Sequence, residues 1–268
     1  MNYSLGIFDS GVGGFTVLKR VLERHGQIKC LYLGDTKRIP YGDKTPLEIR
    51  EIALEIAQWF NHEKVSAVLV ACNTTNSIAL DVLQKISDVP VFGLIEGVQQ
   101  MIHEKKIGVL ATSATIHSGA YKKQIKKYLP DTLILEQACP AFVPLIESRD
   151  LQSNEIRKRA FEYLKPLIDE KVEAIVLGCS HYPLLEPLLR ELLPSSVRLI
   201  DPAIGLAFQV DKILGKPKES ISKNHEKHLN TRFCVTSDPS EFLLRARYWS
   251  INCPKVELIS LRSKAFSF

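Results

Sequence analysis

The sequence predicts an α/β protein of two pseudo-symmetric units with mostly parallel sheets, and three observations carry that expectation. Short apolar runs alternate with amphipathic stretches along the chain, the rhythm of strands separated by helices. The segment Lys64-Val65-Ser66-Ala67-Val68-Leu69-Val70-Ala71-Cys72-Asn73 recurs 107 residues later as Lys171-Val172-Glu173-Ala174-Ile175-Val176-Leu177-Gly178-Cys179-Ser180, with a cysteine at the same place in each copy. A weaker echo, 102 residues apart, relates Leu5-Gly6-Ile7-Phe8-Asp9-Ser10 to Ile107-Gly108-Val109-Leu110-Ala111-Thr112. One repetition at such a distance means a duplicated domain, not a solenoid.

Taken in order, strands are expected at 4–8, 28–33, 65–71, 89–93, 107–111, 132–135, 173–178 and 197–200. The clearest helix start is Thr45-Pro46-Leu47-Glu48: Thr45 is an N-cap, Pro46 suits the first helical position and Glu48 closes a capping box, in a helix running to about Asn61. After Phe208 the chain belongs to neither copy. It carries a polar stretch at 215–230, a strand at 232–236 and a helix at 240–249, expected to return and complete the first unit. Boundaries near Glu96 and Ala207 then divide the chain into a first domain, 1–96 plus 208–268, and a second, 97–207, with a hinge at the two crossings.

Composition narrows the function. The chain has 268 residues, 45% hydrophobic and 24% charged, an ordinary globular balance. Lys and Arg number 35 against 30 Asp and Glu, a surplus too thin to suggest nucleic-acid binding without a concentrated basic patch. Lys122 to Lys127 forms a basic helical stripe that reads as a solvated face. The opening residues have no basic n-region, and no apolar run approaches a membrane span, so a cytoplasmic protein is expected. Six cysteines without a C-x-x-C pair fit free thiols, with neither zinc knuckle nor thioredoxin motif.

In parallel α/β sheets, ligands bind beyond the carboxyl ends of the strands. Asp9, Cys72 and Cys179 all fall there, and a pseudo-twofold arrangement puts the two cysteines on opposite walls of an interdomain cleft. Cys30, Cys139, Cys234 and Cys253 read as small core residues. Cys72 and Cys179 are instead followed by Asn73-Thr74-Thr75-Asn76 and Ser180-His181, at what should be helix N-termini favouring a thiolate or a bound carboxylate. Gly11-Val12-Gly13-Gly14 lacks the third glycine or alanine of the dinucleotide fingerprint, having Thr16 there, and no Walker lysine follows. It reads as a tight turn whose N–H groups hold some anion. Asp9 before it would repel phosphate, and suits pairing with an ammonium group or accepting a thiol proton. His181 is placed to assist a thiol or bind a carboxylate, without a metal, and the other six histidines read as surface residues.

Asp9-Ser10-Gly11-Val12-Gly13-Gly14, Pro40-Tyr41-Gly42, Ala71-Cys72-Asn73-Thr74 and Gly178-Cys179-Ser180-His181-Tyr182-Pro183-Leu184 resemble the signature segments of bacterial glutamate racemases, in the cofactor-independent aspartate/glutamate racemase superfamily. Cys139-Pro140-Ala141-Phe142-Val143-Pro144-Leu145-Ile146-Glu147 also resembles a family segment and adds Glu147 as a candidate. The resemblance runs from about residue 5 to about 210. It implies two flavodoxin-like domains around an active-site cleft, no cofactor and no metal. It implies catalysis by Cys72 and Cys179, assisted by Asp9 and His181, and substrate contacts from Asp9, Ser10, Tyr41, Gly42, Asn73, Thr74, Ser180 and His181. Ser180 stands where the family commonly has threonine, and Thr75-Asn76-Ser77 departs from its usual small residues.

The expected chemistry is interconversion of L- and D-glutamate by two thiols on opposite faces of one carbon, with D-glutamate serving peptidoglycan synthesis. A homodimer is among the assemblies the resemblance allows. Three other readings stand beside it: an aspartate racemase, a non-catalytic amino-acid-binding protein that closes on its ligand, and a Cys-His hydrolase using Cys179 and His181.

Overall fold

The computed structural model describes residues 4–217, 230–249 and 251–261. The chain first lays down β1 (Ser4–Asp9), α1 (Phe15–His25), β2 (Lys29–Gly34), α2 (Pro46–Glu63), β3 (Ala67–Val70), α3 (Asn73–Ile86) and β4 (Val91–Gly93). Thr45 caps α2 as its sequence requires, its hydroxyl accepting from the Glu48 N–H while the Glu48 carboxylate accepts from the Thr45 N–H. The short α4 (Leu94–Gly97) leads across to a second series. That series is β5 (Lys106–Ala111), α5 (Ser113–Ser118), α6 (Ala120–Tyr128), β6 (Leu133–Ala138), α7 (Phe142–Glu147), α8 (Asn154–Asp169), β7 (Ala174–Gly178), α9 (Glu186–Leu192) and β8 (Arg198–Ile200). The return runs through α10 (Pro202–Gln209) and α11 (Asp211–Leu214) to β9 (Thr231–Val235), α12 (Pro239–Tyr248) and β10 (Val256–Leu258).

All eight strands expected in the two copies form. Together with β9 and β10 they sort, among the described residues, into two sheets, one of six strands in the order β10-β9-β2-β1-β3-β4 and one of four in the order β6-β5-β7-β8, with every pairing parallel. The repeat extends to register: Leu5 pairs with Ala67 and, at the equivalent places, Ile107 pairs with Ala174. β3 and β7 are buried along their whole length, as strands covered by helices on both faces must be. The late strand anticipated near 232–236 is β9, seated beside β2; β10, which the sequence did not suggest, extends that edge. Most of the polar stretch 215–230 lies outside the described residues.

Each face of the six-stranded sheet has its own core. Val17, Leu18, Val21 and Leu22 of α1 pack on one face together with Leu206 and Ala207 of α10. Ile49, Ile56 and Phe60 of α2 and Leu83 of α3 pack on the other. The two crossings between the sheets touch backbone to backbone. A Cβ on Gly205 of α10 would lie 2.1 Å from the Gly97 carbonyl oxygen, so only glycine permits this approach. Among the described residues no helix is long and apolar enough to cross a membrane.

Candidate active site

The carboxyl ends of β1, β3 and β7 converge on one cavity of about 250 Å³ between the two sheets. Cys72 and Cys179 both line it, each almost fully buried, one following β3 and the other following β7. Ser10, Tyr41, Gly42, Asn73, Thr74, Ser180, His181 and Glu147 line it as well. Of the residues singled out in the sequence, Asp9 alone does not face the cavity. It lies fully buried beneath it, where Oδ1 accepts from the Gly11 N–H at 3.0 Å and Oδ2 accepts from Ser180 Oγ at 2.9 Å. The anion held by the glycine turn is therefore the protein's own carboxylate.

The first wall is set by α3. Cys72 is the N-cap of that helix, but its side chain makes no capping hydrogen bond. Asn73 Oδ1 accepts from Tyr121 OH at 2.5 Å, which fixes the amide and leaves Nδ2 free of that contact. Thr74 Oγ1 lies 3.0 Å from Thr112 Oγ1, which itself donates to Thr115 Oγ1. Tyr41 presents its ring, because its hydroxyl donates to the buried carboxylate of Asp35. Arg38 and Thr236 hold the same carboxylate, at 2.6 and 2.7 Å.

The second wall is a relay. Cys179 Sγ lies 3.9 Å from His181 Nδ1, and His181 Nε2 lies 2.7 Å from Glu147 Oε1. Arg245 of α12 pairs in turn with the Glu147 carboxylate and donates from Nε to Glu241 at 2.9 Å. With Nε2–H given to Glu147, Nδ1 of a neutral ring faces the sulfur as an acceptor, and that of an imidazolium faces it as a donor.

Two electrostatic expectations need correction. The sequence suggested a helix N-terminus after each cysteine, but after Cys179 the chain makes one 3-10 turn, Tyr182–Leu185, before α9 begins. Pro183 and Pro187 each lack an N–H and break what would be one longer helix. Nor is the Cys72 thiolate favoured at rest: burial pushes the thiol up to about 12, and the Asp9 charge adds to the rise. His181 moves the other way from most buried histidines. Burial works against its charge, but the hydrogen bond to Cys179 and the charges of Cys179 and Asp9 outweigh it and raise its pKa.

Other placements differ from expectation more simply. His25 is not a surface residue, since its side chain is covered and lies 3.2 Å from the Ala207 carbonyl and 3.3 Å from Asp211. His62, His103 and His117 are exposed, while His225 and His228 lie outside the described residues. Cys139, expected in the core, also contributes to the cavity wall. Thr112, Tyr121 and Arg245 were not anticipated. Thr112 could have been, because it is the counterpart of Ser10 in the weaker repeat; Arg245 is 98 residues from its partner and carries no local signal. Among the described residues, no cluster of three or more His, Cys, Asp or Glu is placed to hold a metal ion.

Two like sheets with one thiol from each facing a shared small cavity define a class, and the chain belongs to the Asp/Glu/hydantoin racemase family, whose model matches residues 10–207. Its relatives include the glutamate racemase of Synechococcus sp. (strain CC9605), 52% identical over 95% of this chain and 96% of that protein. The glutamate racemase of Prochlorococcus marinus (strain NATL2A) is 47% identical over 98% of each. Among solved structures, glutamate racemase from Francisella tularensis in complex with D-glutamate superposes with a TM-score of 0.87 at 31% identity, over 98% of this chain and 99% of that one.

Proposed function

We propose that this chain is a glutamate racemase that works without a cofactor, through two cysteines, in the cytoplasm, and supplies D-glutamate for peptidoglycan. The observation that carries the reading is the pair Cys72 and Cys179, which line one cavity from equivalent strand ends of two sheets. The cavity is below the usual 300–1,000 Å³ of drug-sized sites, which fits an amino acid and not a nucleotide. We place the domain limits at 1–96 with 208–268 and at 97–207, so that closure at the two crossings would exclude water.

One thiolate removes the α-proton from one face of the substrate carbon, and the opposite thiol returns a proton to the other face. Each sulfur thereby ends in the state the other began in, ready for the reverse reaction. Asp9 and His181 assist Cys72 and Cys179 respectively, the histidine by moving a proton at Nδ1. The α-carboxylate and ammonium are bound by Ser10, Asn73, Thr74 and Ser180, with Tyr41 and Gly42 closing the wall. Developing charge is met by hydroxyl and N–H donors fixed in advance, which need no reorganisation during the reaction.

The deciding experiment incubates the purified protein with L-glutamate, and separately with L-aspartate, in D2O without cofactor, following optical rotation and α-deuteration together. Loss of rotation with deuteration for glutamate is the expected result. Exchange with aspartate alone would replace the substrate, and no exchange with either would return the binding-protein reading.

A further inference from the structure

We propose that the Thr75 hydroxyl is the hydrogen-bond donor that sustains the Cys72 thiolate during the reaction. This deepens the two-thiol reading and rests on it. Thr75 occupies the third position of α3, from which a side chain reaches back to the N-cap, here Cys72. Its side chain is completely buried, yet its hydroxyl makes no hydrogen bond among the described residues. A threonine inside a helix ordinarily spends this hydroxyl on the carbonyl one turn back. Here the Thr75 hydroxyl and N–H both act to lower the pKa of the Cys72 thiol, against the rise that burial and the Asp9 charge impose.

A buried hydroxyl without a partner destabilises the resting protein, so the position calls for an acceptor that is not always present. A thiolate is that acceptor, since a neutral thiol is a weak one. Acidic groups bear on the sulfur from several elements. They are Asp9 at the end of β1, Cys179 across the cavity, Tyr32 of β2, and Tyr41. Asp9 accepts from Gly11 and Ser180, and its carboxylate offers the sulfur no donor. What α3 offers the sulfur is its first N–H groups and this hydroxyl, in the segment where the sequence departs from its family's usual small residues.

The test compares Thr75→Val, Thr75→Ser and Thr75→Ala in the full chain. Iodoacetamide alkylation is timed at Cys72 by peptide mass spectrometry at a fixed pH well below the thiol pKa, with Cys179 as internal control. Loss of a hydrogen bond to a charged group is worth about one to two pKa units; because the more basic thiolate is also more nucleophilic, Thr75→Val and Thr75→Ala should slow alkylation about three- to tenfold. Thr75→Ser should keep the wild-type rate, and Thr75→Val should melt no lower than wild type. A wild-type rate in Thr75→Val, equal slowing in Thr75→Ser, or a large loss of melting temperature confined to the variants without a hydroxyl would each overturn the proposal. Alkylation needs no substrate, so failure here is distinct from failure of glutamate to exchange in D2O. In a working racemase, Thr75→Val should also enlarge the α-deuterium isotope effect for one enantiomer only. The free energies of mirror-image substrates are equal, so kcat/KM must remain equal from both sides and cannot report such an asymmetry.

Discussion

Ser180 Oγ donates to Asp9 Oδ2 at 2.9 Å, so the carboxylate that ends β1 in one sheet is held by the residue after the cysteine of the other. The Ser180 carbonyl is engaged as well, accepting from Thr16 Oγ1 at 2.9 Å. Gly13 lies against the same residue: a Cβ there would come within 2.4 Å of both Ser180 Oγ and His181 Nδ1. Thr16, which argues against a dinucleotide site, therefore has a structural task of its own. It ties the glycine turn of one unit to the thiol-bearing turn of the other.

Ser180→Ala should leave a fully buried carboxylate oxygen without its donor. A hydrogen bond to a charged group contributes about 1.5–3 kcal/mol, and a loss of that order is expected in urea unfolding, together with reduced kcat. Ser180→Thr keeps the hydroxyl and should retain most of both.

Cys72→Ser and Cys179→Ser should each lower racemisation by on the order of 10²–10⁴-fold or more, the range for loss of a general acid or base. Each should retain part of the one-sided chemistry on a substrate analogue with a good leaving group, measured as elimination from one enantiomer. Near-normal racemisation in either variant would remove the two-base assignment.

His181 carries a raised pKa, so its stabilising contribution is fully present below its ordinary value of about 6.5 and is lost as pH rises through the raised folded value. Melting temperature of the wild type relative to His181→Asn should therefore fall with rising pH across that window. A constant difference would mean that the ring does not gain a proton on folding.

Arg245→Gln should release Glu147 from the helix that reaches it from the six-stranded sheet. The pair is only partly buried, which limits the expected destabilisation to about 1–2 kcal/mol. The double variant Arg245→Gln/Glu147→Gln should cost less than the two single variants summed, in a thermal unfolding cycle.

The strands of the two copies, their equivalence and the two cysteines at matching strand ends were readable in the sequence, because a buried parallel strand leaves an apolar run and the duplication repeats it. Cys72 and Cys179 emerge from one alignment of the chain with itself. The consequences of Pro183 and Pro187 were readable too but outweighed by the strand-then-helix expectation. What sequence alone could not supply are contacts made at long range: Tyr121 on Asn73, Arg245 on Glu147, and the burial that pushes the Cys72 thiol up. His25 is covered by α10, which follows it by nearly two hundred residues. β10 is three residues long with no fully buried position, too little to leave a pattern.

The placement of β9 and β10 beside β2 also orders events during synthesis. All four strands of the smaller sheet have been made once the ribosome has passed Ile200, whereas the larger sheet lacks two of its six until β9 is made at Thr231–Val235 and one until Leu258. Until β9 is made, β2 is an open edge, with Leu31 and Leu33 on a strand that has neighbours on one side only. The half of the molecule begun first is thus the half finished last, and the nascent chain carries a sticky border until its final stretch arrives to seal it.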